Sequence, residues 1–123
     1  MYSAILHASL LVKDLQIAIN FYVDVLGLSI DESRPDLGYN GAWLNITDQQ
    51  QIHLLALPNP DPVSGRPEHG GRDRHVAIGV VDFDALVDSL KKHNIAFTMS
   101  KSGRAALFCR DPDGNALEFI QVK

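Results

Sequence analysis

Four residues of types that bind transition metals lie within apolar stretches of this chain. They are His7, His53, His75 and Glu118. Imidazole and carboxylate groups together suit Mn, Fe, Co, Ni or Zn, whereas Mg and Ca prefer shells made only of oxygen. A histidine or a carboxylate on an apolar strand face costs several kcal/mol unless it is paired or bound to a metal. The residue types therefore predict a site for one divalent transition metal ion.

An internal repeat links these four residues. The segment His-Ala-Ser-Leu-Leu-Val-Lys-Asp-Leu from His7 matches His-Val-Ala-Ile-Gly-Val-Val-Asp-Phe from His75, with histidine, aliphatic, Val and Asp positions in register. Towards the end of each half, His53 in Ile-His-Leu-Leu matches Glu118 in Leu-Glu-Phe-Ile. Alone, a strand histidine is more often a core residue bonded to a carbonyl, and a Glu near a C-terminus is usually exposed. Their recurrence at corresponding places favours a shared role.

The first half is predicted to form a strand, a helix and three further strands. Residues 5–12 form the first strand, Asp14 caps the helix that follows, and Gly27 ends that helix in a left-handed conformation. The inward positions of the helix are Leu15, Ala18, Ile19, Tyr22 and Leu26. The remaining strands are expected near 29–33, 41–47 and 50–57.

The second half repeats this order. A strand from His75 to Val81 precedes the cap Asp82, and the helix then runs to His93 with Asn94 as its stop. Strands are expected near 96–100, 105–110 and 115–122, and the last two are joined by the turn Asp-Pro-Asp-Gly at 111–114. The fold class is therefore α+β, built from two βαβββ modules.

One domain of residues 1–123 is expected, with module 1 at about 1–58, a linker at 59–73 and module 2 at about 74–123. Residues 58–73 contain four prolines and three glycines, which predicts an exposed connection. Arg66, Arg72 and Arg74 lie there among acidic residues, as either a solvated loop or a small anion-binding edge.

Composition excludes several classes of protein. A net charge of −4 without a basic stripe argues against nucleic-acid binding. No apolar stretch approaches the roughly 20 residues of a membrane-spanning helix. The single cysteine, Cys109, is expected to be a buried small hydrophobe rather than a nucleophile, and it fits a reducing compartment. A cytoplasmic protein is the expectation.

Several motifs together resemble the vicinal oxygen chelate superfamily, which contains glyoxalases, bleomycin resistance proteins and extradiol dioxygenases. The motifs are His7-x-x-Leu-x-Val-x-Asp-Leu, Phe21-Tyr-x3-Leu-Gly-Leu, His75-Val-Ala-Ile and Asp111-Pro-Asp-Gly-Asn-Ala-Leu-Glu118. The resemblance covers nearly the whole chain. As a set, the motifs are highly specific for the superfamily but poorly specific for the reaction.

The resemblance implies a cup-shaped mixed sheet made by two modules around a divalent metal. Its ligands would be His7, His53, His75 and Glu118, with the metal drawn from Ni, Zn, Fe, Mn and Co. Small members of the family usually pair as homodimers whose sites are shared between subunits. Their small-molecule substrates chelate the metal through adjacent oxygens, and the metal stabilises an enediolate, activates oxygen or polarises an epoxide.

This chain departs from the family pattern at His53. Glyoxalase I typically has Glu there and the related epimerase has Gln, while fosfomycin-resistance transferases and extradiol dioxygenases use only the other three ligands. His53 is therefore either a fourth ligand or a catalytic base. Glu118 is the other candidate for proton transfer.

Strand parity suggests which side chains line the pocket. The candidates for substrate binding are Ser9, Trp43, Asn45, Arg104 and Phe108. Arg104 could meet an anionic group. Trp43 and Phe108 have an alternative role as plain core residues.

A metal-dependent lyase or isomerase of glyoxalase type is the leading functional hypothesis. An extradiol-type dioxygenase or a metal-dependent thiol transferase is the first alternative. A protein of another class, which binds an antibiotic or other small molecule without catalysis, is the second. Non-catalytic binding proteins of this family usually lack the ligand residues, and this chain fills all four positions.

Overall fold

The computed structural model describes residues 1–122. The chain divides into two compact units, Met1–Asp61 and Pro62–Lys123, which are described separately below. The division falls inside the predicted linker, so most of that linker belongs to the second unit.

The first unit is a four-stranded mixed sheet with a helix. Its elements are β1 (His7–Leu11), α1 (Leu15–Ile19), a π-helical segment (Asn20–Val25), β2 (Ser29–Ile30), β3 (Gly41–Asn45) and β4 (Gln51–Leu55). The strand order is β1-β4-β3-β2. β1 runs parallel to β4, and the other neighbours are antiparallel.

The second unit repeats this topology. Its elements are a 3₁₀ turn (Gly70–Arg72), β5 (His75–Val80), α2 (Phe83–Lys92), β6 (Phe97–Met99), β7 (Ala106–Arg110) and β8 (Ala116–Gln121). The order is β5-β8-β7-β6, with β5 parallel to β8. The predicted α+β class and the order of strands and helices are confirmed.

The repeat extends to the register of the strands. Trp43 lies opposite His53 in the first sheet, and Phe108 lies opposite Glu118 in the second. The separation in sequence between Trp43 and Phe108 equals that between His53 and Glu118. Corresponding positions of the two halves therefore occupy equivalent places in equivalent sheets.

The predicted helix caps and stops are also confirmed. The Asp14 carboxylate accepts the Ile17 amide at 3.1 Å, and that of Asp82 accepts the Ala85 amide at 3.0 Å. The first helical region ends at Gly27 with φ of +76°. The second ends at Asn94 with φ of +57°, a left-handed conformation that Asn tolerates better than most residues.

The main local difference from the prediction is in the first helix. The α-helix stops at Ile19, and a π-helical segment follows in which the Leu26 amide donates to the Phe21 carbonyl, five residues back, at 3.1 Å. The wider turn shifts the helical phase, so that Phe21 and Tyr22 are both buried and meet edge to face with centroids 5.2 Å apart. A regular helical period predicted only Tyr22 to point inward. The strands are also shorter than predicted, β2 most of all.

The two faces of the first sheet differ in chemistry. Ile52 and Leu54 on β4, with Leu44 on β3, are buried on the face contacted by α1. Alternation along the strands puts His53 and Trp43 on the opposite face, where they are half-exposed. The sequence argument assumed an apolar setting for His53, and this face is instead largely polar.

The second sheet is covered on the face that carries Glu118. The 3₁₀ turn packs on β7 and β8, and a Cβ added at Gly70 would come within 3.3 Å of the Phe108 Cβ atom. A side chain at position 70 would therefore require Phe108 to shift by a few tenths of an ångström. The predicted exposed connection is therefore wrong for its second part, because that part packs on the sheet.

Ion pairs anchor this covering segment. Arg66 donates two hydrogen bonds to the Asp73 carboxylate, at 2.7 and 2.6 Å, and Arg110 on β7 donates a third at 2.8 Å. The hydrogen bonds from Arg66, and then those from Arg110, hold the pKa of the Asp73 carboxyl well below its usual range. Arg66 is thus neither a solvated side chain nor free to bind an anion.

The depressed pKa of Asp73 predicts a specific pH dependence of stability. The stabilisation is fully present above the unfolded-state pKa of about 3.9 and is lost as the pH falls towards the folded-state pKa. Asp73→Asn should lower the melting temperature at pH 7 and should shrink the difference in melting temperature between pH 6 and pH 3. Calorimetry at both pH values measures this. Asp48→Asn, in an exposed turn, is the control; equal acid sensitivity in all three proteins would contradict the prediction.

Candidate metal-binding site

A pair of candidate ligands meets in the second unit. His75 begins β5 and Glu118 lies in the parallel neighbour β8, where its Cα partner is Ala77. His75 and Ala77 are two residues apart and share a face, so the two functional groups lie on one side of the sheet. The His75 Nε2 atom is 3.2 Å from the Glu118 Oε1 atom.

The hydrogen bond at the Nδ1 atom of His75 indicates which ring nitrogen carries a proton. Nδ1 is 2.9 Å from the Asp73 carbonyl oxygen, which can only accept a hydrogen bond, so Nδ1 carries a proton. In a neutral ring, Nε2 then presents its lone pair to the Glu118 carboxylate. Two acceptor atoms in such close contact require a proton or a cation between them. A histidine that donates its second N–H to a backbone carbonyl is the usual arrangement of a metal ligand.

The distance within this pair also fits coordination. Two donor atoms that each lie about 2.1 Å from one ion, at right angles, are about 3.0 Å apart. The observed 3.2 Å between His75 Nε2 and Glu118 Oε1 is close to that value. The chemistry and spacing of this pair therefore fit two ligands of a transition metal ion.

Glu118 is buried beside a second charged side chain. Its side chain is only 8% exposed, and its second oxygen, Oε2, lies 3.5 Å from the Arg104 Nη2 atom. The Phe108 ring meets the His75 ring edge to face, with centroids 5.3 Å apart. Arg104 was predicted to meet a substrate anion, and here its nearest charge is a residue of the site.

The first unit holds its two candidate histidines in a stack. The His7 and His53 rings are nearly parallel, with centroids 3.9 Å apart, and Trp43 stacks on His53 at 4.6 Å. The lone pairs of an imidazole lie in the plane of its ring. Because the two planes are parallel, His7 and His53 in this arrangement cannot both point a nitrogen at one ion.

A hydrogen-bond network fixes the orientation of His53. The Gln51 amide nitrogen donates to the Asp31 carboxylate at 2.8 Å and to the Asn45 side-chain oxygen at 3.0 Å. Since the carboxylate only accepts, the Gln51 amide oxygen must be the atom that faces His53 Nε2, at 2.8 Å. His53 therefore donates through Nε2 and keeps its lone pair on Nδ1.

The protonation of His53 is shaped by the same surroundings. Burial lowers the pKa of the His53 imidazole, and the charges of His7 and Arg34 lower it further, against the opposing effect of Asp31. Hydrogen bonds from Ser33, and then from Gln51, lower the pKa of Asp31 and keep it ionised. His53 is thus held as a neutral ring at neutral pH.

The remaining predicted site residues are placed as follows. Ser9 on β1 is the Cα partner of His53, and Asn45 donates to the Ser29 hydroxyl at 3.1 Å while accepting from Gln51. Phe108 is buried between the 3₁₀ turn and the sheet. Neither unit by itself, within residues 1–122, brings three His, Cys, Asp or Glu side chains together for a metal. Each unit holds two of the four, and their union in one site stays a prediction.

Three contributors to the site were missed in the sequence. Gln51 was available to parity reasoning, because it lies two residues before His53 on the same strand. Asp31 lies in the turn after β2, and no sequence pattern indicated that it contributes to the site. The Asp73 carbonyl could not be found from residue types, because it is a backbone group.

Cys109 behaves as predicted. It is buried, with 4% of its surface exposed, and burial raises the pKa of its thiol to about 12. None of the helices within residues 1–122 has the length and apolar character needed to cross a membrane.

Comparison with known proteins identifies the family. The chain is 34% identical to a lactoylglutathione lyase of Haemophilus influenzae over 97% of its own length and 93% of that protein. It superposes on the trypanothione-dependent glyoxalase I of Leishmania major with a TM-score of 0.71 and 26% identity, covering 98% and 87% of the two chains. A glyoxalase family protein of Bacillus anthracis shares the fold, with a TM-score of 0.80, 22% identity and coverage of 100% and 98%.

A family model also matches residues 4–119, which include all four candidate ligands. The chain therefore belongs to the Glyoxalase/Bleomycin resistance protein/Dioxygenase superfamily.

Proposed function

We propose that this protein is a metal-dependent lyase or isomerase of glyoxalase type, acting on a small substrate that chelates through adjacent oxygens. The observation that carries the proposal is the contact between His75 Nε2 and Glu118 Oε1, 3.2 Å apart on one face of the second sheet. The second N–H of His75 is engaged by a backbone carbonyl, as in many metal sites. Relatives named lactoylglutathione lyase support the reaction class.

We assign His7, His75 and Glu118 as the metal ligands. Two histidines and a carboxylate suit Ni, Zn, Fe, Mn or Co and leave positions open for substrate. His53 is the weaker candidate, because Gln51 holds its Nε2 and Trp43 covers one face of its ring. His7 is exposed, and the contact described for its ring is the stack on His53. Its ring can therefore turn more easily than that of His53.

His53 then has a separate role as the group that moves a proton. Its Nδ1 keeps a lone pair, and within residues 1–122 no hydrogen bond to that atom is described. A hemithioacetal becomes a 2-hydroxy thioester when the hydrogen on the carbon that bears sulfur moves to the neighbouring carbonyl carbon, and the hydroxyl proton of the first carbon moves to the oxygen of the second. The conversion needs no oxidant, only a base that takes the proton and returns it. When bound, the metal would polarise the substrate oxygens.

Other side chains on these faces would contact the substrate. Trp43 presents an aromatic surface beside His53, and Asn45 and Ser9 supply polar groups on the same side of the first sheet. Phe108 and Arg104 would do so in the second unit, next to Glu118. Because Arg104 is 58% exposed, a substrate anion could also reach its guanidinium.

We further propose that the protein is a homodimer with shared sites. β1 lies at one end of the first sheet and β5 at one end of the second. An edge strand presents unpaired backbone groups that another chain can cover. Each unit holds two of the four candidate ligands, so a second copy could complete the site.

Metal binding is the first test of the proposal. Tag-free protein exposed to Ni, Co, Mn, Zn or Fe should retain one ion per chain, and metal at 100 times its Kd should stabilise the fold by about 2.7 kcal/mol. His75→Ala should weaken binding by more than the roughly 10- to 100-fold typical of outer-shell changes, because it removes a ligand. Chelator competition measures the affinity.

His93→Ala is the matched control, because His93 lies at the end of α2, where its ring Nδ1 is 2.8 Å from the Ser89 carbonyl oxygen, outside the candidate site. If the parent retains none of these metals and shows no thermal shift, the proposed metal dependence is wrong. Tight metal binding without turnover of any oxygen-chelating substrate would instead indicate a binding protein.

Substitutions at His53 separate a base from a ligand. His53→Gln should keep metal affinity within a few-fold but should lower turnover by about 10²- to 10⁴-fold, since an amide cannot accept the proton. His53→Glu should retain turnover, because a carboxylate can. The assay follows thioester absorbance from the hemithioacetal of methylglyoxal and glutathione, with Ni or Zn present. A loss of metal affinity in His53→Gln as large as in His75→Ala would place His53 among the ligands.

The homodimer is tested by light scattering at micromolar concentration. The expected mass is twice the 13.5 kDa of the chain. Mixing His7→Ala chains with Glu118→Ala chains should restore metal binding in some heterodimers if ligands come from both subunits. A monomer that still binds metal would reject the shared site without affecting the ligand assignment.

A further inference from the structure

We propose that Arg66, which lies outside the ligand set, sets the affinity of the metal site by fixing the backbone of Asp73. Arg66 is a positioning residue in this inference, acting through Asp73 on His75. The inference rests on the proposed function, because it requires His75 to be a ligand.

The connection is a continuous series of short contacts. Arg66 binds both oxygens of the Asp73 carboxylate, at 2.7 and 2.6 Å, and the Asp73 side chain is 7% exposed. The backbone carbonyl of the same residue accepts the His75 Nδ1–H at 2.9 Å. The opposite nitrogen of that ring faces Glu118 at 3.2 Å. The carboxylate and the carbonyl of one residue thus join the guanidinium to the candidate ligand.

The Asp73 amide donates to the Gly70 carbonyl at 3.1 Å, and the guanidinium pairs with its carboxylate add a second anchor. Asp73 follows the 3₁₀ turn and precedes β5, with extended dihedral angles of φ −108° and ψ 167°. The anchor itself is rigid: the second guanidinium, Arg110, also donates to the carbonyls of Gly114 and Pro67. A bidentate guanidinium–carboxylate pair fixes both the position and the orientation of the carboxylate.

The consequence for the ligand is geometric. The hydrogen bond to the Asp73 carbonyl selects the His75 tautomer with a free Nε2, and it sets the angle of the ring. Without the Arg66 pair, the carbonyl can move away and the other tautomer becomes available. That tautomer carries a proton on Nε2 and cannot bind a metal through it. Changes to such partners typically cost about 10- to 100-fold in metal affinity.

The test compares three single variants of the full chain. Arg66→Met removes the charge, both hydrogen bonds to Asp73 and the one to the Pro62 carbonyl, but keeps an unbranched side chain of moderate length. Arg66→Lys keeps the charge and one donor, so it should restore part of the effect. Arg72→Met is the matched control, because Arg72 is an exposed arginine of the same segment.

Three readouts separate positioning from a structural role. Chelator competition should give a Co²⁺ affinity about 10- to 100-fold lower in Arg66→Met than in the parent, intermediate in Arg66→Lys and unchanged in Arg72→Met. The visible absorption of bound Co²⁺ should change in Arg66→Met. In the metal-free protein, ¹⁵N NMR should show a protonated His75 Nδ1 held by the Asp73 carbonyl in the parent and partial loss of that Nδ1 proton in Arg66→Met.

The outcomes are distinct. If the parent binds no Co²⁺, the proposed function fails before this inference is reached. If the parent binds Co²⁺ and Arg66→Met binds it equally well, with the same spectrum and a lower melting temperature, Arg66 only stabilises the fold and the inference is wrong. If Arg66→Met is too unstable to study, Arg66→Lys must still show the lower affinity and the partial loss of the His75 Nδ1 proton, or the inference is overturned.

Discussion

A neutral imidazole has one N–H donor and one lone pair, and the second unit depends on where the N–H of His75 goes. The Asp73 carbonyl takes the proton on Nδ1, so the other nitrogen, Nε2, faces Glu118. The 3₁₀ turn, the close approach at Gly70 and the pairing of Asp73 with Arg66 all hold that carbonyl in place. The connection between the two repeats therefore supplies the hydrogen-bond partner of a candidate ligand.

The two halves share a topology but use their equivalent positions differently. In the second half, the buried carboxylate of Glu118 lies beside an imidazole and a guanidinium, so charge dominates. In the first half, His53 lies between two parallel rings and is held by the amide of Gln51, so stacking and neutral hydrogen bonds dominate. The repeated topology thus holds a charged pair suited to metal binding in one half and a neutral imidazole of fixed orientation in the other.

The order of elements, the caps and the residues that share a strand face could be predicted from the sequence because they depend on local chemistry. Asp14 and Asp82 cap helices through their own side chains, and alternation on a strand sets which residues share a face. The π-helical segment was not predictable, because a regular period accounts for Tyr22 but not for burying Phe21 beside it. Tertiary packing decides that phase.

The network around the site was also predicted less completely than its central residues. Histidine and glutamate are conspicuous in apolar strands, whereas Gln51 matters only because the fold brings it to His53. The packed part of the connection was mistaken for an exposed one, since proline and glycine indicate turns without indicating what those turns cover.

The burial of Cys109 has a further consequence. Thiol reagents attack only the thiolate, and a thiol with a pKa of about 12 in the middle of β7 offers almost none while the sheet is closed. Modification of the native chain must therefore wait for local opening of the second sheet. Because this is the single cysteine of the chain, its rate of labelling is a built-in measure of how often the sheet that carries Glu118 opens.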